Sequence, residues 1–267
     1  MKHIIQKILW YFNYDLSRLN ASKNIEIKEL IKELRPIEVE DKELIRIGNN
    51  TEIDGNYLLP NDLDGIEYCF SMGVGKSSAF ELQLAKMGIK SIVADYSVEK
   101  LPVTHPDLIF EKKFVNSYNS DTTITFLDLK EKYLKNHNKD MILQMDIEGD
   151  EYKVFLDMPQ SELKKFRIIV VEFHFLTRLF DPHVSQFIYS SLKKILENFY
   201  VVHIHPNNHS PVLKKDNIEV PHYLEITFLR KDRVKNFGFA KQFPHPLDSK
   251  NVKNKIDVLL PKSWYED

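Results

Sequence analysis

From Leu44 onward the sequence alternates short apolar, β-branched runs with stretches of helical period, and this alternation constrains the fold more tightly than any other feature. A parallel strand covered by helices on both faces has no solvent side, so it is written as an unbroken apolar run. Seven such runs occur: Ile66–Met72, Ser91–Ala94, Leu108–Val115, Met141–Met145, Ile168–Phe173, Tyr200–His205 and Leu224–Leu229. Helical patterns fall between them over Ala79–Met87, Phe126–Asn136, Tyr152–Asp157 with Ser161–Lys165, and Val184–Glu197. Gly88 stands where a helix C-terminal glycine belongs. The expectation is an α/β fold built on a doubly wound, seven-stranded sheet. Pro206–Pro221 has no helical pattern, so the last two strands are expected to pair as an antiparallel hairpin across a long loop.

At 267 residues and 43% hydrophobic, the chain can form one large domain with appendages. Glu26–Leu34 reads as a short amphipathic helix ended by Pro36, and the charged stretch Glu38–Glu43 follows it. The expected division is an N-terminal helical appendage over 1–40, the main domain over 41–235, and a C-terminal extension over 236–267 that packs on it. The extension has no clear period. The 37 Lys and Arg against 39 Asp and Glu give a net charge of −2, which supplies no global field for a nucleic-acid backbone. The single cysteine, Cys69, fits a reducing compartment, so a cytoplasmic location is expected. Met1–Phe12 carries Ile4, Ile5, Ile8, Leu9 and Phe12 at helical spacing, broken by Gln6 and Lys7, with no cleavage site after it. It reads as an amphipathic helix rather than a signal peptide. Its apolar face suits the core or a homodimer contact, with docking on a membrane surface as the alternative. No run of about 18 apolar residues occurs, which excludes a transmembrane helix.

Tyr68–Glu81 reads as an apolar strand, a Gly73-Val74-Gly75 turn and the start of a helix. Glycines let the backbone pass close to a ligand, and the helix N-terminus offers unpaired N–H groups. A dinucleotide, a phosphate or the methionine carboxylate of S-adenosylmethionine would each suit such a turn, and so would a purely structural role. The third glycine of the dinucleotide fingerprint is replaced by Ser78, and no glycine stands five residues before Gly75 to complete a P-loop. Asp95 closes the second strand, where an acidic side chain can accept both hydroxyls of a ribose or cap the next segment. At the end of the fourth strand Asp146, Glu148 and Glu151 crowd together, at the edge where open α/β sheets bind ligands.

With these pieces in view, the chain resembles the FkbM-type methyltransferases. The matching segments are Asp54–Pro60, Phe70–Gly75 with Ser78–Glu81, Val93–Asp95, Gln144–Gly149 with Glu151, Val170–His174 and His203–Asn208. The resemblance implies a class I methyltransferase sheet, S-adenosyl-L-methionine as cofactor, and a hydroxyl of a sugar or sugar-nucleotide as acceptor, within surface-polysaccharide tailoring. It further implies that Tyr57, Gly73 and Gly75 border the methionine portion, that Asp95 meets the ribose, and that Asp146 lies between sulfonium and acceptor. Where an acid often precedes the first glycine by two, this chain has Ser71, so Asp146 or Asp54 would replace that acid as partner of the methionine ammonium.

O-methylation is an in-line displacement, and something must take the acceptor's proton. His174 or Asp146 is the expected base, with Asn207 and Asn208 orienting acceptor hydroxyls and Glu148 and His203 also at the acceptor. In an extended strand His203 and His205 share one face, and both are expected near Asp146. Asp146, His174 and His205 could instead converge on a divalent cation, Mn or Mg, which would acidify the hydroxyl and make His205 part of the catalytic set. Two other readings are open: an NAD(P)-dependent or nucleotide-sugar oxidoreductase using Tyr189 and Lys193, and a non-catalytic methyltransferase-like binding subunit.

Overall fold

The computed structural model describes residues 5, 8, 9, 11, 24–48 and 55–266. Ile5, Ile8, Leu9 and Tyr11 are helical; the rest of Met1–Phe12 lies outside the described residues, as does Asp54. The chain runs through α1 (Asn24–Glu33), β1 (Ile37–Val39), β2 (Leu44–Ile47), β3 (Tyr57–Pro60), β4 (Tyr68–Met72), α2 (Ala79–Lys86) and β5 (Lys90–Ala94). Next come β6 (Leu108–Glu111), β7 (Phe114–Asn116), β8 (Thr123–Thr125), α3 (Phe126–Leu134), β9 (Met141–Met145), α4 (Glu151–Asp157), α5 (Gln160–Leu163) and β10 (Phe166–Phe173). The last elements are α6 (Ser185–Leu196), β11 (Phe199–Pro206), β12 (Val212–Lys215), β13 (Ile218–Pro221), β14 (Leu224–Arg230) and β15 (Phe237–Phe239).

Seven strands form the central sheet in the order β6-β5-β4-β9-β10-β14-β11. The pairs from β6 to β10 are parallel, and β14 is inserted antiparallel between β10 and β11. This is the expected doubly wound α/β sheet of class I methyltransferase type, with its last two strands paired as anticipated. Every residue of β9 and β10 is buried, which is why their sequences show no alternation. Side chains of the two faces separate into two apolar clusters: Phe70, Met72, Leu143 and Met145 pack with α1, α3, α4 and α6, while Cys69 and Ile142 pack with β1, β3 and α2. The strand order reverses between β4 and β9, so the loops leaving those two strands diverge at one point and open a crevice there.

Three details depart from the sequence reading. The run Leu108–Val115 breaks at Lys112-Lys113, where Lys113 N–H turns back to Glu111 O (2.9 Å), and β7 leaves the sheet to pair with β8. The segment expected to be a plain loop after β11 contains the β12–β13 hairpin, whose Asp216 and Asn217 take positive φ (50° and 61°) as a tight hairpin turn demands. The unassigned tail places β15 against β1 and buries Trp264, whose indole N–H donates to Glu219 O at 2.9 Å. Among the described residues no helix is long and apolar enough to cross a membrane.

Candidate active site

The crevice is formed first by backbone. Gly73 has φ 84°, and a Cβ on it would lie 1.8 Å from the carbonyl oxygen of Asp146, so the two strand ends meet where only glycine fits. The contact is locked by Asp146 N–H donating to Met72 O (2.8 Å) and Gly73 N–H donating to Ala94 O (3.0 Å). Asp95 then shapes the turn itself. Val74 and Gly75 donate their N–H groups to Oδ2 (3.0 Å each), and Ser97 donates its N–H and its hydroxyl to Oδ1 (2.7 Å each). Burial works against the charge on Asp95, but these donors outweigh it and hold the carboxyl below its ordinary range. Four donors take up the lone pairs of one carboxylate. Asp95 therefore holds the glycine turn, and it also lines the cavity beside it.

Beneath the turn lies a buried polar chain. Ser71 Oγ is 2.5 Å from Glu81 Oε1 and 2.7 Å from Gln144 Oε1, and Gln144 Nε2 donates to the Tyr57 hydroxyl at 3.3 Å. Ser71 thus touches an acid at the neutral position noted above, but the acid comes from the first turn of α2. Burial pushes the Glu81 carboxyl up to about 7 despite the Ser71 hydroxyl beside it.

The loop after β9 carries the acids that meet His174. Glu148 sits at φ 57°, an uncommon conformation for a non-glycine residue and one that concentrates at functional sites. Glu151 is fully buried, and its Oε1 accepts the N–H groups of Ile147 and Gly149 (3.1 Å each) while lying 2.9 Å from His174 Nδ1. A proton on Nδ1 donated to Glu151 leaves the Nε2 lone pair of His174 facing the loop. That atom is 3.7 Å from Asp146 Oδ1 and 3.5 Å from Glu148 Oε2, too far for direct hydrogen bonds but spaced for an inserted group. Burial lowers the basicity of His174, but the hydrogen bond and charge of Glu151, with Asp146 and Glu148, more than reverse this and raise it above the ordinary histidine value. Glu151 is the functional residue that sequence reasoning underused; its burial is what turns a third nearby carboxylate into the group that orients the histidine.

The structure does not bring His205 to this cluster. His203 Nε2 lies 2.9 Å from Asp248 Oδ1 and His205 Nδ1 lies 3.5 Å from Asp248 Oδ2, so the two do share a face but meet an acid of the C-terminal segment. Among the described residues, the group that could hold a cation is instead Asp146, Glu148 and His174, whose ligand atoms all lie within 4.8 Å of one another. Asn207 donates to Glu172 Oε1 (2.8 Å), while Asn208 donates to Val252 O (2.9 Å) and accepts from Val252 N–H (2.8 Å). Both amides are buried and spent on these partners, which gives them a role in holding the sheet edge rather than in orienting an acceptor. Tyr189 and Lys193 lie on α6, with Lys193 bound to Glu33 at 2.5 Å, and neither borders the crevice.

The crevice is a cavity of about 680 Å³ walled by Gly55, Tyr57, Gly73–Ser77, Glu81, Asp95, Gln144, Asp146 and Glu148 among others. That volume is in the range of small-ligand sites. The cavity thus lies at the switch point of a seven-stranded sheet with the strand order of the class I methyltransferase fold. Residues 110–200 match the model of the methyltransferase FkbM domain, so the resemblance drawn from the sequence holds over that part of the chain. The glycine turn lies outside the matched segment. No curated protein matches the chain. Among solved structures, the chain is similar to a prophage-encoded protein of E. coli described as a DNA modification methyltransferase (11% identity, 62% of this chain and 47% of that one, TM-score 0.38). It is also similar to the fibrillarin/Nop5p complex (12% identity, 73% and 98%, TM-score 0.38) and to a Listeria monocytogenes protein described as an S-adenosylmethionine dependent methyltransferase (12%, 62% and 90%, TM-score 0.35). The chain thus spans about half the length of the first of these. At such TM-scores the likenesses carry no argument, and the fold rests on the strand order itself.

Proposed function

We propose that the protein is an S-adenosylmethionine-dependent O-methyltransferase that acts on a hydroxyl of a sugar or sugar-nucleotide. The observation that carries this reading is that Asp146 and Glu148, which line a ligand-sized cavity together with the glycine turn, lie 3.7 and 3.5 Å from Nε2 of the Glu151-bound His174. Bound S-adenosylmethionine would supply an electrophilic methyl group. The protein's own part is to align the acceptor and take its proton, and His174 Nε2, oriented through Nδ1 by Glu151, is the base for that step. Asp146 and Glu148 flank the place where the acceptor hydroxyl would enter. Phe175, His222 and Tyr223 form an aromatic lip beside His174, with ring centroids 4.9 Å apart for His174 and Tyr223 and 5.8 Å for Phe175 and Tyr223. Such faces suit the C–H side of a sugar ring, which supports a carbohydrate acceptor.

Calorimetric titration with S-adenosylhomocysteine tests the cofactor. Micromolar binding is expected, and an absence of heat at millimolar ligand would sink the proposal. Mass spectrometry over a panel of nucleotide-sugars then reads the acceptor as a gain of one methyl group. A second reading adds a divalent cation held by Asp146, Glu148 and His174, where it would acidify the acceptor hydroxyl. In that case EDTA abolishes turnover and Mn²⁺ or Mg²⁺ restores it; full turnover in EDTA would leave His174 acting alone.

A further inference from the structure

The neutral residue at Ser71 leaves a methyl-donor site without its usual partner for the methionine ammonium, and the structure shows what stands in its place. Glu81 is 3% exposed, borders the cavity, and puts Oε1 2.5 Å from the Ser71 hydroxyl. A carboxylate is therefore present beside position 71, but it is carried by the first turn of α2 rather than by the end of β4. Its second oxygen, Oε2, is buried with no partner among the described residues. A buried carboxyl with an unpaired oxygen is costly unless a ligand completes it. The cavity is the adjoining space from which a donor could come.

Of the two other acids that sequence reasoning offered for this role, Asp146 fits less well. Asp146 has its carbonyl against Gly73 and a carboxyl oxygen 3.7 Å from His174 Nε2, on the reacting side. Asp54 lies outside the described residues. Gln144 and Tyr57, joined to Ser71 in the same chain of polar contacts, also wall the cavity, so Glu81 is the acid of this polar cluster. Serine and glutamate have in effect exchanged the positions of acid and hydroxyl: a short side chain at 71 makes room for a longer acid reaching in from the helix.

We propose that Glu81 binds the α-ammonium group of S-adenosylmethionine, and that Ser71 holds the Glu81 carboxyl in position for it. This rests on the methyl-donor reading given above. It accounts for the acid that the glycine turn lacks, and it requires Glu81 to be ionised when the ligand is bound. Because burial pushes the Glu81 carboxyl up to about 7, ligand binding must draw a proton off it near neutral pH.

The test uses two ligands that differ in the amino-acid portion: S-adenosylhomocysteine, which has the ammonium, and methylthioadenosine, which lacks it. Losing one charge-assisted hydrogen bond of about 2 kcal/mol corresponds to about 30-fold in affinity. Glu81→Gln should therefore weaken S-adenosylhomocysteine about 30-fold and leave methylthioadenosine within about twofold, the latter also reporting that the variant is folded. The wild-type affinity for S-adenosylhomocysteine should fall as pH drops from 8 to 5.5, while Glu81→Gln shows a flat profile. The double variant Ser71→Asp/Glu81→Ser, which returns the acid to the strand, should recover most of the loss. Unchanged S-adenosylhomocysteine binding in Glu81→Gln, or equal loss of both ligands, overturns the role of Glu81 while leaving the methyl-donor reading intact. If the wild-type protein binds neither ligand, that reading itself has failed.

Discussion

Replacing Glu151 by Gln isolates the charge that tunes His174. The amide oxygen can take the place of Oε1, accepting from Ile147 N–H, Gly149 N–H and His174 Nδ1–H, so the loop geometry and the tautomer are both retained. What disappears is the negative charge beside a buried imidazole. At an effective dielectric of 20 an opposite charge about 4 Å away is worth about 4 kcal/mol. The neutral hydrogen bond that remains recovers about 1 kcal/mol of this. The difference, about 3 kcal/mol, lowers the titration midpoint of His174 by about two pH units. In the wild-type protein, burial lowers that midpoint and the acids raise it to a net position above the ordinary 6.5. Glu151→Gln should carry it down from there, leaving burial opposed only by Asp146 and Glu148. Histidine Cε1–H chemical shifts followed by NMR from pH 4 to 9 read this directly, and His174→Asn identifies the resonance. Once an acceptor is known, kcat/KM should rise with pH through the same two midpoints, because the base must be unprotonated. A midpoint that stays put or moves up in Glu151→Gln would refute the assignment of Glu151 as the group that tunes His174.

Other expectations follow from the same geometry. Gly73→Ala places a methyl group on the Asp146 carbonyl at a φ of 84°, so strain and overpacking together should cost about 3 kcal/mol. Thermal unfolding should show it, and an unchanged Tm would mean that the two loops do not meet as described. Asp95→Ala removes the acceptor of four donors and should abolish S-adenosylhomocysteine binding through loss of the turn, with a lowered Tm accompanying it; lost binding at full stability would point to direct ligand contact instead. His205 titrates at about 9, because its ion pair with Asp248 and the charge of Glu225 outweigh burial. A raised histidine value stabilises fully below pH 6.5 and fades as pH climbs through 9, here by up to about 3 kcal/mol. The Tm of the wild-type protein should therefore fall between pH 7 and 10 more steeply than that of His205→Gln, and parallel curves would argue against the pair.

The strands that cross the core were legible because burial on both faces leaves no room for polar residues; Met141–Met145 was read to the residue. The half-buried β2 and the three-residue β1 and β15 were not, since short strands with polar neighbours carry too little pattern to stand out. The glycine turn and the acidic loop were both visible, as was the shared face of His203 and His205. Which groups meet was another matter. Strand order alone brings Gly73 onto Asp146 across 73 positions of sequence, and the path of the C-terminal segment alone gives His205 to Asp248 rather than to Asp146. The sequence by itself determined the layered sheet and the chemical kinds of residue at its carboxyl edge, because solvent exclusion along a strand and backbone freedom at a turn are local demands. Only the tertiary structure decided that Glu81 stands beside Ser71, that Glu151 is buried against His174, and that Asp95 holds the turn. Contacts of that kind depend on where a helix lands and on which lone pairs are already taken.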